Sequence, residues 1–99
     1  MSYAIVNRPA VRTDIEDIVN YYKNINPKLA QQFLFRLREA KKYLSDSPLS
    51  FEIKYHEVRT LLLKQFPYQI HYLIDKDNDR IVILAIVHSY KNPLDYSSR

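Results

Sequence analysis

The chain reads as an α+β fold: an antiparallel β-sheet with an N-terminal helical hairpin packed on one face, in the order β-α-α-β-β-β. Three observations predict it. Apolar residues recur at helical spacing from Val11 to Leu44. The period then changes to short runs and alternation between Val58 and His88. Pro, Asp, Asn and Ser punctuate the changes, with no linker or repeat between them. An amphipathic helix can hide its apolar stripe only against another layer, and the strands supply that layer.

Tyr3 to Asn7 (YAIVN) is a short β-prone run and the expected first strand. Pro9 follows where a helix commonly begins. From there Val11, Ile15, Ile18, Val19, Tyr22 and Ile25 share a face, while Arg12, Asp14, Glu16, Asp17, Asn20 and Lys23 make the wet side. Pro27 disfavours helical geometry at Asn26, so the first helix ends there, with Asn26 as cap and Pro27 as first-turn residue of the second. Leu29, Ala30, Phe33, Leu37, Ala40 and Leu44 form the second stripe, which Leu34 and Phe35 widen, and the helix stops near SDSP. Arg36, Arg38, Lys41 and Lys42 beside Glu39 read as a solvated, basic face.

Leu49 to Lys54 reads as irregular, and the strands follow. Val58 to Phe66 is β-rich, Tyr68 to Ile74 alternates, and Ile81 to His88 is nearly continuous and apolar. Tyr68, Ile70, Tyr72 and Ile74 fall on one face, opposite Gln69, His71 and Leu73. In the last strand Ile81, Ile83, Ala85 and Val87 oppose Val82, Leu84, Ile86 and His88. Asp75 to Asp79 (DKDND) is a hairpin loop built from residues that tolerate turn geometry. A strand apolar on both sides implies cover on both faces. The helices cover one, and the other is expected to be a shallow basin open to a partner.

Composition narrows the chemistry. With 99 residues, the whole chain, 1–99, is expected to be one domain. The absence of cysteine excludes thiolate nucleophiles and Cys-based metal sites. The absence of glycine excludes phosphate-cradling loops, so no nucleotide or other small-molecule cofactor is expected. The three histidines, 56, 71 and 88, have no local metal-ligand spacing. A net charge of +4 favours anionic partners, or serves solubility alone. The apolar run near the N-terminus is too short for a membrane span, and a cytoplasmic location is expected.

The order of elements, the helix pair ending in LSDSP, and the runs RTLLLKQFPYQIHY and IVILAIVHSYKNP resemble the RelE/ParE superfamily of type II toxin–antitoxin toxins. The likeness extends over about Tyr3 to Pro93, and its most specific parts are F-P-Y-x-I-x-Y and the H-x-x-(K/R)-x-P ending. It implies a growth-inhibiting toxin neutralised by a cognate antitoxin protein that folds around it, over the helical hairpin and the sheet edge. ParE-like members inhibit DNA gyrase, whereas RelE-like members cleave mRNA on the ribosome. The two motifs match the ParE branch better, so gyrase is the expected target. A ribosome-dependent endoribonuclease is the alternative, and a family member that only binds its antitoxin is a third.

For the nuclease reading the resemblance implies a basic residue after the aromatic that opens the third strand, and Gln69 stands there instead. Cleavage at a ribose 2′-hydroxyl needs a base, an acid and cations about the phosphate. Arg59, His71, His88, Tyr90 and Lys91 are the candidates, with Lys54 a further clamp. Each also has a plainer role. His71 reads as a satisfied, partly buried histidine, Arg59 as an ion-pair partner for Glu52 or Glu57, and Tyr90 as one of nine tyrosines.

Overall fold

The computed structural model describes residues 2–90, 96 and 97. Its elements run β1 (Ala4–Asn7), α1 (Pro9–Ile25), α2 (Pro27–Asp46), β2 (Ile53–Tyr55), β3 (Val58–Leu62), β4 (Tyr68–Asp75) and β5 (Arg80–His88), with 3-10 turns at Pro48–Ser50 and Lys76–Asn78. The α+β architecture follows the expectation, and the sheet order is β1-β5-β4-β3-β2. Two details differ. Strands β2 to β5 pair antiparallel, but β1 lies parallel to β5. Periodicity reports which residues share a face, not the direction in which strands distant in sequence meet. The stretch read as irregular also holds β2, an edge strand of three residues, too short to show a period.

The helical hairpin turns on one residue. The Asn26 N–H donates to the Tyr22 carbonyl at 2.8 Å and closes α1. Its Oδ1 accepts from the Lys28 N–H at 3.0 Å and opens α2, with Pro27 in the first turn. Val11 and Ile18 from α1 and Phe33, Leu37, Ala40 and Leu44 from α2 pack on Leu61, Ile70, Tyr72, Ile81, Ile83 and Ile86 of the sheet. Complete burial of a side chain such as Phe33 or Leu44 contributes roughly 1.5–3 kcal/mol. Ile25, expected in the stripe, is exposed because it sits at the hairpin tip.

A β-bulge decides the faces of β5. His71 pairs with Ala85 and Tyr72 with Ile83, so Leu84 has no place in the register. One extra residue reverses the alternation beyond it. Ile86 therefore joins Ile81 and Ile83 on the helix side, and the faces read from simple alternation hold only up to Leu84, with Ala85 the first residue to depart.

Without glycine, other residues take the left-handed turns: His56 (φ 48°), Gln65 (φ 75°) and Asp79 (φ 48°). Gln65 is held by α2. It accepts from Arg36 Nε at 3.1 Å and donates to Gln32 Oε1 at 2.9 Å, which fixes the β3–β4 loop on the helix.

Candidate functional site

The candidate residues fall into separate places. Arg59, on β3, pairs across the ladder with Tyr72 and shares its helix-side face. Its guanidinium donates to the Phe51 carbonyl and holds the segment before β2. His71 is next to Tyr72 on β4 and therefore faces the other way. His88 ends β5 opposite Tyr68, on the helix side. The Arg59–Tyr72 and Tyr68–His88 pairs lie four residues apart on β4, about 13 Å along the strand. Lys91 lies outside the described residues. Lys54 pairs with Glu52 at 3.6 Å on the exposed β2 edge.

The expected open basin is also different. On the face away from the helices, Val58, Val82 and Leu84 are at most 6% exposed, and Tyr55, Leu73 and Tyr96 pack over them. An apolar strand has to be covered on both sides, and here the chain covers itself. His71 is buried in this layer. Its Nδ1 lies 2.9 Å from the Tyr55 hydroxyl, and burial holds its pKa below the usual histidine value.

At the end of the sheet an aromatic cluster reaches the surface. The His88 ring lies 5.2 Å from Tyr68 and 5.3 Å from the exposed Tyr90, and Tyr68 continues to Tyr22 at 6.3 Å. The Tyr90 N–H donates to His88 Nδ1 at 3.2 Å. That bond occupies the ring's unprotonated nitrogen, so neutral His88 carries its proton on Nε2 and presents a donor. The phenols of Tyr22 and Tyr68 are both raised, first by burial, and then by Tyr68 and Tyr21 for Tyr22 and by Tyr21 for Tyr68. A raised phenol is a poor source of phenolate base. The cluster can stack and donate hydrogen bonds, but among the described residues no cation joins it.

The surface with more capacity was not among the candidates. Between α2 and β3 runs a groove of about 360 Å³ with Ala40, Leu61 and Leu63 in its floor. Tyr43, Phe51 and Leu62 line it, and Arg36, Glu39 and Lys64 stand at its rim. Leu62 is 60% and Tyr43 55% exposed, and Phe35, Leu49 and Ile53 add further exposed apolar surface. Arg36 is anchored beside the groove by Glu39 at 3.2 Å and by Gln65. An apolar trough with a charged rim suits an amphipathic peptide. The sequence signal was weak, since Leu62 sits within an LLL run that reads as core.

This hairpin-on-sheet arrangement has solved counterparts among toxin–antitoxin proteins. The chromosomal ParDE system from P. aeruginosa matches at a TM-score of 0.75 and 21% identity, covering 88% of this chain and 96% of that one. The RelBE2 toxin–antitoxin complex from Mycobacterium tuberculosis matches at 0.59 and 18% identity, covering 89% and 99%. At those identities the likeness is one of fold. No curated protein matches in sequence. Residues 5–93 match the family described as ParE toxin of the type II toxin–antitoxin system, parDE, and the chain belongs to that family. None of the helices among the described residues is long and apolar enough to cross a membrane.

Proposed function

We propose that this chain arrests growth by binding DNA gyrase in the cytoplasm and blocking its cycle, without chemistry of its own, and that a cognate antitoxin neutralises it. The observation that carries the reading is the dispersal of Arg59, His71 and His88 within a ParE family member. Phosphoryl chemistry needs its acid, base and cations about one phosphate. Arg59 is engaged with Phe51, His71 is buried, and His88 presents its donor about 13 Å along the sheet from Arg59.

The antitoxin docks in the α2–β3 groove. A segment that folds on binding would set apolar side chains on Leu62, Tyr43 and Phe51 and acidic ones towards Lys64 and Arg36. The basic balance of the chain, +4, favours such an acidic partner.

Induction of the toxin alone in a bacterial host tests the target. Loss of supercoiling and a DNA-damage response with intact mRNA support gyrase, and purified gyrase should be inhibited directly. Prompt translation arrest with cleaved mRNA, abolished by His88→Ala with Arg59→Ala, would establish the nuclease instead. Unimpaired growth would leave only antitoxin binding. Leu62→Asp reads the groove separately: it should weaken antitoxin binding by more than about tenfold, a loss above ~1.4 kcal/mol, with little change in folding.

A further inference from the structure

The crown of α2, the side turned away from the sheet, is basic and carries an aromatic ring at its middle. The helix holds five cations, Lys28, Arg36, Arg38, Lys41 and Lys42, against two carboxylates, Glu39 and Asp46. Among the described residues only Arg36 of these five forms an ion pair, with Glu39 at 3.2 Å. Lys28, Gln31, Phe35, Arg38 and Lys42 follow one another at intervals of three or four residues, and all are exposed. They make one stripe, about 21 Å long, opposite the face of Phe33, Leu37 and Leu44 that packs on the sheet.

Phe35 has no place in the core cluster. It is 53% exposed, and Leu34 beside it is 37% exposed. The Arg36 guanidinium lies over its ring, 5.5 Å from the centroid. On the flank, Lys41 is partly buried, and burial holds its pKa below the ordinary lysine value with no carboxylate to offset it. An apolar anchor with a charged rim has the make-up of a protein-binding hot spot, and incoming carboxylates supply what these cations lack. Nucleic acid fits less well. A helix crown is convex, without the groove that tracks a single strand, and one ring makes one stacking platform. Against a duplex, Phe35 would meet charged phosphates.

We infer that the α2 crown is the surface through which the chain holds its target, with Phe35 entering an apolar recess on gyrase and Lys28, Arg38 and Lys42 facing carboxylates around it. This rests on the gyrase reading given above and adds the contact surface to it. The crown is separate from the α2–β3 groove, which lies on the flank lined by Tyr43 and Leu62. Arg36 touches both, at the groove rim and over the Phe35 ring. Charge attraction speeds the encounter, and the buried ring slows dissociation.

The stripe is exposed throughout, so substitutions there leave the core intact. Purified gyrase is titrated with the full chain, reading inhibition of supercoiling and, on immobilised gyrase, the rates of association and dissociation. Phe35→Ala should weaken binding and inhibition by about thirtyfold or more, chiefly through faster dissociation. Arg38→Gln should slow association severalfold at low salt, Arg38→Gln with Lys42→Gln should slow it further, and Arg38→Lys should keep the parent rate. Lys76→Gln removes the same net charge from an exposed turn elsewhere and should change neither rate. Circular dichroism of every variant should match the parent. If the parent inhibits gyrase and both Phe35→Ala and the double Gln variant inhibit equally well, the crown is overturned and the gyrase reading stands. Equal slowing by Lys76→Gln and Arg38→Gln would also overturn it, because net charge alone would then be acting. A parent with no effect on gyrase would end both readings. Tight binding of a bare oligonucleotide, lost in Phe35→Ala, would overturn the protein partner in favour of nucleic acid.

Discussion

Tyr72→Phe removes one oxygen from the centre of the protein and nothing else. Tyr72 has no exposed surface, and its hydroxyl donates to the Pro48 carbonyl at 2.6 Å. That bond ties β4 to the turn that follows α2. Phenylalanine keeps the ring and its packing but leaves the buried Pro48 carbonyl without its donor, at a cost of roughly 1–3 kcal/mol. For a domain of this size ~2 kcal/mol lowers Tm by about 8–16 °C. A second signature identifies the oxygen itself. Burial pushes the Tyr72 pKa from 10.0 up to about 12, against a smaller lowering by Arg59. Between these values the native state holds a proton that the unfolded chain has lost, so stability is complete below pH ~10 and falls as pH rises. That phenol contributes on the order of 2–3 kcal/mol to the alkaline loss. Urea unfolding by circular dichroism at neutral pH and near pH ~11 measures both effects. Tyr72→Phe should be less stable at neutral pH, and the gap should narrow on the alkaline side. A variant within ~0.5 kcal/mol of the parent, with a parallel pH profile, would refute the role given to this hydroxyl.

Four further outcomes follow from local contacts. Asn26→Ala removes the cap of α2 and should cost about 1 kcal/mol in urea unfolding, with no change in the m-value. Phe33→Ala, at a site with no exposed surface, should cost roughly 3–5 kcal/mol. Asp14 accepts from the Ile86 N–H at 3.0 Å, beyond the reach of β1, so Asp14→Ala should cost ~1–3 kcal/mol and speed exchange of that amide. Asp75 is held below the usual carboxylate range, first by its hydrogen bond from Asn78 and then by Arg80. Its contribution is therefore present above the usual carboxylate value and lost as pH falls through the depressed one. Asp75→Asn should remove that part of the acid limb, while NMR titration of the parent locates the carboxyl directly.

Much of the fold was legible because its causes are local. Asn26 and Pro27 mark the helix break through side-chain chemistry and ring geometry, and the structure uses both residues as read. Phe33, Leu37, Ala40 and Leu44 repeat at helical spacing and are buried together. Asp79 takes a left-handed turn conformation where no glycine is available. β2 escaped notice because three residues cannot display an alternation, and the direction of β1 because its partner is more than seventy residues away. The candidate site was less legible. Arg59, His71 and His88 look close when the strands are written as a hairpin. Alternation sets His71 against Arg59, and the extra residue at Leu84 puts His88 on the helix side. Leu62 and Tyr43 carry no polar signal, so their exposure could be known only from what packs beside them.

The amino-acid order by itself determined where the helices and most strands lie, which stripes are apolar, and which toxin–antitoxin superfamily the chain resembles. These depend on spacing over a few residues, and a few residues suffice to express them. Tertiary structure decided which polar side chains meet, which face the chain covers for itself, and where an apolar groove stays open. Those outcomes depend on a single inserted residue in a ladder and on contacts between distant segments, and periodicity records neither.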